Sequence, residues 1–165
     1  MITSEDFITS DISFENQDGV NGRTLLLTPK NKNGKFGLMY EHEKEVIKKR
    51  TRILCKKHSP QKVLEIGFGL GYTATELQKN KIAEHTIVEA HPEIFKNAEK
   101  WAEKYPNVKL VNSFIQDYEY DEKDYDFILD DRLEIVYEYE KTPRYKVNNK
   151  WHIFFTSQDL KEITK

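Results

Sequence analysis

Cysteine is almost missing from this chain. Cys55 stands alone, which excludes an internal disulfide framework and favours a reducing compartment. No apolar run approaches the ~20 residues that span a bilayer. The opening MITSEDFITSDISF lacks the basic and apolar regions of a signal peptide. Neither sign of charge prevails: 26 Lys and Arg face 28 Asp and Glu, a net charge of -2. That balance gives no global pull toward nucleic acid or an anionic membrane. Internal repeats and low-complexity tracts are absent as well. What is there, 38% hydrophobic, 12% aromatic and 33% charged over 165 residues, suits one soluble domain with a real core. These readings together predict a cytoplasmic protein without nucleic-acid or membrane partners.

Residues 1–38 read as an N-terminal extension, and residues 39–165 as the main domain. In the extension, Asp11 to Phe14 and Thr24 to Leu27 flank the turn-rich stretch from Asn16 to Gly22, which predicts a hairpin. Val46, Ile47, Ile53 and Leu54 then fall near helical spacing, with Lys48, Lys49, Arg50 and Arg52 on the other face. A helix is expected from Glu41 to Lys57, stopped by Ser59-Pro60. Next come a strand (Lys62 to Ile66), a helix (Tyr72 to Lys79), a strand (His85 to Val88) and a helix from Pro92 to Lys104 with proline in its first turn. Val108 to Val111 and Tyr125 to Leu129 are further strands. Strands alternating with helices imply right-handed crossovers, hence an α/β, Rossmann-like open, mainly parallel sheet with flanking helices. Beyond Leu129 the pattern changes. Leu133 to Tyr139 and Arg144 to Val147 alternate around Lys141-Thr142-Pro143, which suggests a hairpin, with Trp151 to Phe155 a last strand and Ser157 opening a short helix.

The chemistry concentrates in Val63-Leu64-Glu65-Ile66-Gly67-Phe68-Gly69-Leu70-Gly71, a short apolar strand running into a glycine-rich turn and a helix. Glycines at 67, 69 and 71 permit positive φ and let a ligand approach the backbone. In an open parallel sheet such a turn lies outside the strand's carboxyl end, where nucleotide-like ligands bind. Glu89 ends the next strand, 22 residues after Gly67, where a carboxylate can accept hydrogen bonds from two ribose hydroxyls. A solvated strand-end charge is the rival reading of Glu89. Dinucleotide sites prefer GxGxxG, but the position of the third glycine is Tyr72 here, and Glu65 sets negative charge beside any phosphate. A phosphate-free ligand with a cationic centre fits better than a nicotinamide or flavin nucleotide. S-adenosylmethionine, with ribose, adenine, sulfonium and ammonium, has that chemistry.

The Glu65-x-Gly67-x-Gly69-x-Gly71 pattern resembles the first motif of class I S-adenosylmethionine-dependent methyltransferases. Glu84 to Pro92, with the aromatic Phe68 between two glycines, is similar to the protein arginine N-methyltransferase 2 and guanidinoacetate N-methyltransferase branch. So are Asn33 to Glu43 (His42 standing where the branch has Trp), Ile115-Gln116-Asp117, and Asp126 to Asp131, whose usual Tyr-Asp ending reads Asp-Asp. Phe155-Thr156-Ser157 is weakly like the segment after that branch's fifth strand. The likeness covers residues 33–131 well and the shortened C-terminal part poorly.

The resemblance implies a role for each matching residue. Phe68, Gly69, Leu70, Gly71, Tyr72 and Thr73 would wrap the methionine part of the cofactor. Glu89 would hold the ribose, with Ala90 and His91 following in the same cofactor segment, and Ile115 with Gln116 would line the adenine. Met39 and Ile47 would pack nearby, and Glu65 and Gly67 belong to the same turn. Glu43 and Asp131 would grip a guanidino or amine substrate, Asp131 accepting its proton and also bordering the cofactor, with backbone at Thr156 a third contact. Asp130 competes for the role of Asp131. Glu43 also reads as part of a solvated, charged helix start, and His85 and His91 as capping or packing residues. No metal is implied. Tyr137, Tyr139 and Tyr145 would suit a homodimer interface covering an exposed strand edge. Two other readings stay open: another enzyme using the same cofactor, such as an aminopropyl transferase, and a non-catalytic cofactor-binding module.

Overall fold

The computed structural model describes residues 2–130 and 144–153. It opens on a short helix, α1 (Ser4–Thr9), inside the N-terminal extension. Thr3 Oγ1 accepts the Asp6 N–H, and Asp6 Oδ2 accepts the Thr3 N–H, both at 3.0 Å. This reciprocal pair is a capping box and satisfies two otherwise orphaned donors. The expected hairpin follows. β1 (Asp11–Asn16) pairs antiparallel with β2 (Arg23–Thr28), Ile12 opposite Leu27. A strand the sequence reading did not anticipate, β3 (Phe36–Tyr40), completes this sheet on the other side of β2.

From β3 the chain passes a 3-10 turn (Glu41–Glu43) into α2 (Lys44–His58). The helix stops where expected. Ser59 takes φ 49° and its N–H donates to the Cys55 carbonyl at 2.8 Å, after which Pro60 cannot continue the ladder. The main sheet then winds through β4 (Lys62–Ile66), α3 (Tyr72–Gln78), β5 (Glu84–Glu89), α4 (Pro92–Ala102), β6 (Val108–Asn112) and β7 (Phe127–Asp130). Two short strands, β8 (Arg144–Val147) and β9 (Lys150–Ile153), finish it.

The spatial order is β6-β5-β4-β7-β8-β9, with β4 to β7 parallel and β8 and β9 antiparallel. The α/β, mainly parallel architecture is therefore as expected. The chain leaves β4 toward β5 on one side and returns to β7 on the other, so the crevice for a ligand opens at the carboxyl end of β4. The last strands correct a detail. Arg144–Val147 pairs with β7, Tyr145 opposite Leu129, and turns into β9 through Asn148 and Asn149 at φ 50° and 63°. Two left-handed residues make a tight hairpin turn whose twist matches the strands, and asparagine tolerates that region. The expected partner stretch 133–139, Phe155 and the short final helix lie outside the described residues.

One sheet face carries α2, α3 and α4. Leu54, Cys55 and Leu77 cover Val63, Phe127 and Leu129, while Ile94 and Ala98 cover Ile87. On the other face, Leu64, Ile66, Val88 and Ile128 are covered by Ile115, Tyr118, Tyr120, Tyr125 and Trp151. Those residues come largely from the connection between β6 and β7, which runs through two 3-10 turns (Ile115–Asp117 and Glu122–Asp124). Tyr145 is buried among Phe127, Val147 and Leu54, so it serves the core and cannot present itself to a second subunit. Tyr137 and Tyr139 lie outside the described residues. Among the described residues no helix is long and apolar enough to cross a membrane.

Candidate active site

The glycine turn is dictated by its neighbours as well as by its backbone. Gly67, Gly69 and Gly71 adopt φ 89°, 55° and 69°. The Gly67 N–H donates to the Val88 carbonyl at 2.8 Å, which ties the turn to β5. A Cβ on Gly69 would lie 2.9 Å from Met39 Cε, and one on Gly71 would lie 2.6 Å from Phe68 Cζ. The Phe68 ring packs against Trp101 at 5.5 Å, so it could make way only by giving up that contact. Gly71→Ala is accordingly expected to destabilise the fold by about 2–4 kcal/mol, adding left-handed strain to overpacking. Urea unfolding checks it, and an unchanged midpoint would contradict this packing.

Above the turn lies a cavity at the carboxyl ends of β4 and β5. The turn contributes Gly67, Phe68 and Gly69, the strand ends contribute Glu65, Ile66, Val88 and Glu89, and Thr73 and Ala90 follow them. Met39 reaches in from β3, where its sulfur accepts the Leu70 N–H at 3.3 Å. Ile115 closes the side toward β6. Of the expected cofactor residues, these line the cavity together. Leu70, Gly71, Tyr72, His91 and Gln116 do not line it, and neither do Ile47 and Glu43. Gly71 sits beneath Phe68, Gln116 is exposed, and Tyr72 lies under the Lys44 ammonium, 5.7 Å from its ring centre.

Glu89 is no solvated charge. It is 5% exposed; Oε2 accepts the Phe68 N–H at 2.8 Å and Oε1 accepts the His91 N–H at 2.7 Å. Its own carbonyl accepts from Asn112 Nδ2 and from the Ser113 N–H, at 2.8 and 3.2 Å. Burial pushes its carboxyl above the ordinary carboxylate range, opposed by the backbone N–H groups of Phe68, His91, Gly69 and Ala90. Glu65, one strand over, is equally buried, and its Oε2 lies 2.9 Å from His85 Nε2. Gln78 Nε2 reaches His85 Nδ1 at 3.1 Å. With the Gln78 amide donating to Nδ1, His85 donates from Nε2 to Glu65 Oε2 under the turn.

The expected acceptor residues are placed less completely. Glu43 closes the 3-10 turn before α2, partly buried, with Oε2 accepting the Tyr40 N–H at 3.0 Å. Asp131 and Thr156 lie outside the described residues. Asp130 is buried at the end of β7, 3.5 Å from the Arg144 guanidinium, which in turn stacks 4.0 Å from the Trp151 ring. That pairing commits Asp130 to an internal partner.

Sequence reasoning missed Phe7, Leu38, Ile66, Val88, Ile94, Ser113 and Phe114 as cavity residues. Phe7 had a detectable signal: Thr3-x-x-Asp6 is a capping-box spacing that announces a helix containing Phe7. Phe114 directly precedes the quoted Ile115-Gln116-Asp117 element. The finished cavity pairs apolar walls with two buried carboxylates, which favours a ligand carrying hydroxyls and positive charge and opposes a phosphate. Among the described residues no three His, Cys, Asp or Glu side chains gather as metal ligands.

Comparison with known proteins gives the same direction. The chain is 33% identical over 103 residues to protein arginine N-methyltransferase 2 of Yarrowia lipolytica, covering 59% of this chain and 20% of that protein. It is 30% identical over 118 residues to the protein of that name from Aspergillus oryzae, covering 70% of this chain and 25% of that protein. The chain thus spans a fifth to a quarter of the length of these curated relatives. Among solved structures, the YcgJ protein of Bacillus shares 23% identity with a TM-score of 0.42, over 48% of this chain and 36% of that one. The guanidinoacetate N-methyltransferase family model matches residues 36–150, a span holding β3, the glycine turn and all the strand ends around the cavity. By that match the chain belongs to the guanidinoacetate N-methyltransferase family.

Proposed function

We propose that this chain binds S-adenosylmethionine in the cavity above the glycine turn and directs its methyl group to a guanidino nitrogen. The observation that carries the reading is Glu89, a buried carboxyl group fixed at the carboxyl end of β5 beside a turn built on left-handed glycines. The residues present fit the cofactor. Glu89 has the chemistry to hold ribose hydroxyls, Glu65 supplies negative charge toward a sulfonium or ammonium, and Ala90, Phe114 and Ile115 offer an apolar face for adenine. When bound, S-adenosylmethionine supplies an activated methyl group.

The chain's own task is then to position the acceptor. A guanidinium is a poor nucleophile because its lone pairs are delocalised and its pKa exceeds ~12. Carboxylates orient it well through bidentate, charge-assisted hydrogen bonds. We assign that grip to Glu43 and Asp131, with Asp131 taking the proton. The engagement of Asp130 with Arg144 supports Asp131 over its neighbour. The acceptor is a small molecule or protein-bound group; the relatives' names specify arginine. A cytoplasmic location belongs to the same proposal. Cys55, buried with its thiol pushed up to about 11, is inert core material.

Mass spectrometry tests the proposal. Incubated with S-adenosylmethionine and a panel of guanidino and amino compounds, the chain is expected to yield products heavier by one methyl group from the guanidino members. Methylation of amines alone would move the acceptor class, and methylthioadenosine as the main product would indicate transfer or breakdown of another part of the cofactor.

A further inference from the structure

His91 does more than a helix cap requires. Its backbone N–H donates to Glu89 Oε1 at 2.7 Å, and its Nδ1 accepts the Glu93 N–H at 3.2 Å, which starts α4. Since Nδ1 accepts, the ring proton sits on Nε2, where it is donated to the Ser10 carbonyl at 3.1 Å. Ser10 is the residue after α1, 81 positions away in sequence. The imidazole is fully buried and meets the Phe7 ring edge-on at 5.3 Å, and Phe7 in turn lies 6.3 Å from Phe114. Both phenylalanines line the cavity.

We propose that His91 is a positioning residue of the cofactor site, holding the Glu89 carboxylate with its main chain and fastening α1 with its side chain so that Phe7 forms a wall of the cavity. This role rests on the cofactor reading above. A helix of six residues is far below the ~12–15 that persist alone in water, so α1 stays in place only through such holds. Its other holds among the described residues include buried Ile2 and the 2.7 Å Asp6–Lys32 ion pair, neither of which reaches the cavity, and the packing of Phe7 itself against the core. The titratable groups on the elements packed here are Glu89 at the end of β5, Glu93, Lys96, Glu99 and Lys100 on α4, Glu5 and Asp6 on α1, Asp11 beside Ser10, and Asp117 on the turn after Phe114.

Burial holds the His91 imidazole below its ordinary value, against the Ser10 carbonyl and the charge of Glu93, which favour the protonated form. A depressed imidazole stabilises the fastened arrangement fully above the unperturbed pKa of ~6.5, and that advantage is lost as pH falls below it. Cofactor affinity should therefore decline on acidification through this ring.

Calorimetric titration with S-adenosylmethionine from pH ~5.5 to ~8, on the unmodified chain and on H91A, H91Q and F7A, tests the role. H91A is expected to weaken binding by roughly tenfold or more at neutral pH, since a buried donor-acceptor set is lost. H91Q keeps a side-chain N–H for Ser10 and should restore most of the affinity while flattening the decline below pH ~6.5. F7A should weaken binding without flattening it. Hydrogen exchange on the ligand-free proteins gives a readout independent of the cofactor: amides of residues 4–10 should exchange faster in H91A, with β4 to β7 unchanged. Equal affinity in H91A and the unmodified chain, or unaltered exchange over residues 4–10, overturns the role. Absence of binding by the unmodified chain overturns the cofactor reading and this role with it.

Discussion

Replacing Asp131 by Asn is expected to lower turnover roughly 10²–10⁴-fold, the usual worth of a positioned proton acceptor. Cofactor affinity in the same variant should stay near that of the unmodified chain. The separation matters because Asp130 and Asp131 are neighbours in the sequence. Asp130 is buried and held to Arg144, so Asp130→Asn is expected to act mainly on stability through the loss of that pair. Asp131 is the residue to which the proposed function gives the acceptor's proton. Single-turnover kinetics with a guanidino acceptor distinguishes them. A large loss of turnover in Asp130→Asn with Asp131→Asn unaffected would reverse the assignment. Glu43→Gln should instead raise the KM for the acceptor, because an orienting clamp acts on binding before it acts on chemistry.

Glu89→Ala is expected to weaken S-adenosylmethionine binding by about a hundredfold. Two hydrogen bonds from ribose hydroxyls to a carboxylate are each worth roughly 1.5–3 kcal/mol, and a hundredfold corresponds to about 2.7 kcal/mol once imperfect additivity is allowed. The substitution also removes the acceptor shared by the Phe68 and His91 N–H groups, at 2.8 and 2.7 Å, leaving both orphaned in a buried site. Stability should therefore fall together with affinity, by about 1–3 kcal/mol. Glu89→Gln keeps a carbonyl for one of the two donors and should recover part of the stability but little of the affinity. Calorimetry and thermal melting on the two variants separate these effects. Equal affinity in Glu89→Ala and the unmodified chain would remove the ribose role.

Where local pattern and tertiary need agree, the sequence was legible. Gly67, Gly69 and Gly71 announced their turn because backbone sign and crowding both demand glycine there. Glu89 was found by its distance from Gly67, since the length of a strand-helix-strand unit fixes where the second strand ends. Ser59-Pro60 marked the end of α2 for the same local reason. Other features depend on contacts between distant segments. β3 reads as ordinary chain until β2 offers it an edge. Phe7 becomes a cavity residue through contacts with segments far along the chain, His91 and Phe114 among them. Tyr145 alternates like an interface residue, yet β7 places it opposite Leu129 and so inside the core. Gln116 shows the converse: adjacent to Ile115 in the motif, it points away because a 3-10 turn sends consecutive side chains in different directions.

The central claim is that this glycine turn takes a phosphate-free, cationic adenosyl ligand. Tyr72 stands where a dinucleotide site wants its third glycine, and Glu65 sets a buried carboxyl group beneath the turn. The most direct test titrates the unmodified chain calorimetrically with S-adenosylmethionine and, in parallel, with NADH. One-to-one binding of S-adenosylmethionine with no measurable heat from NADH is the result expected. Binding of NADH in preference, or no binding of S-adenosylmethionine, would contradict the account.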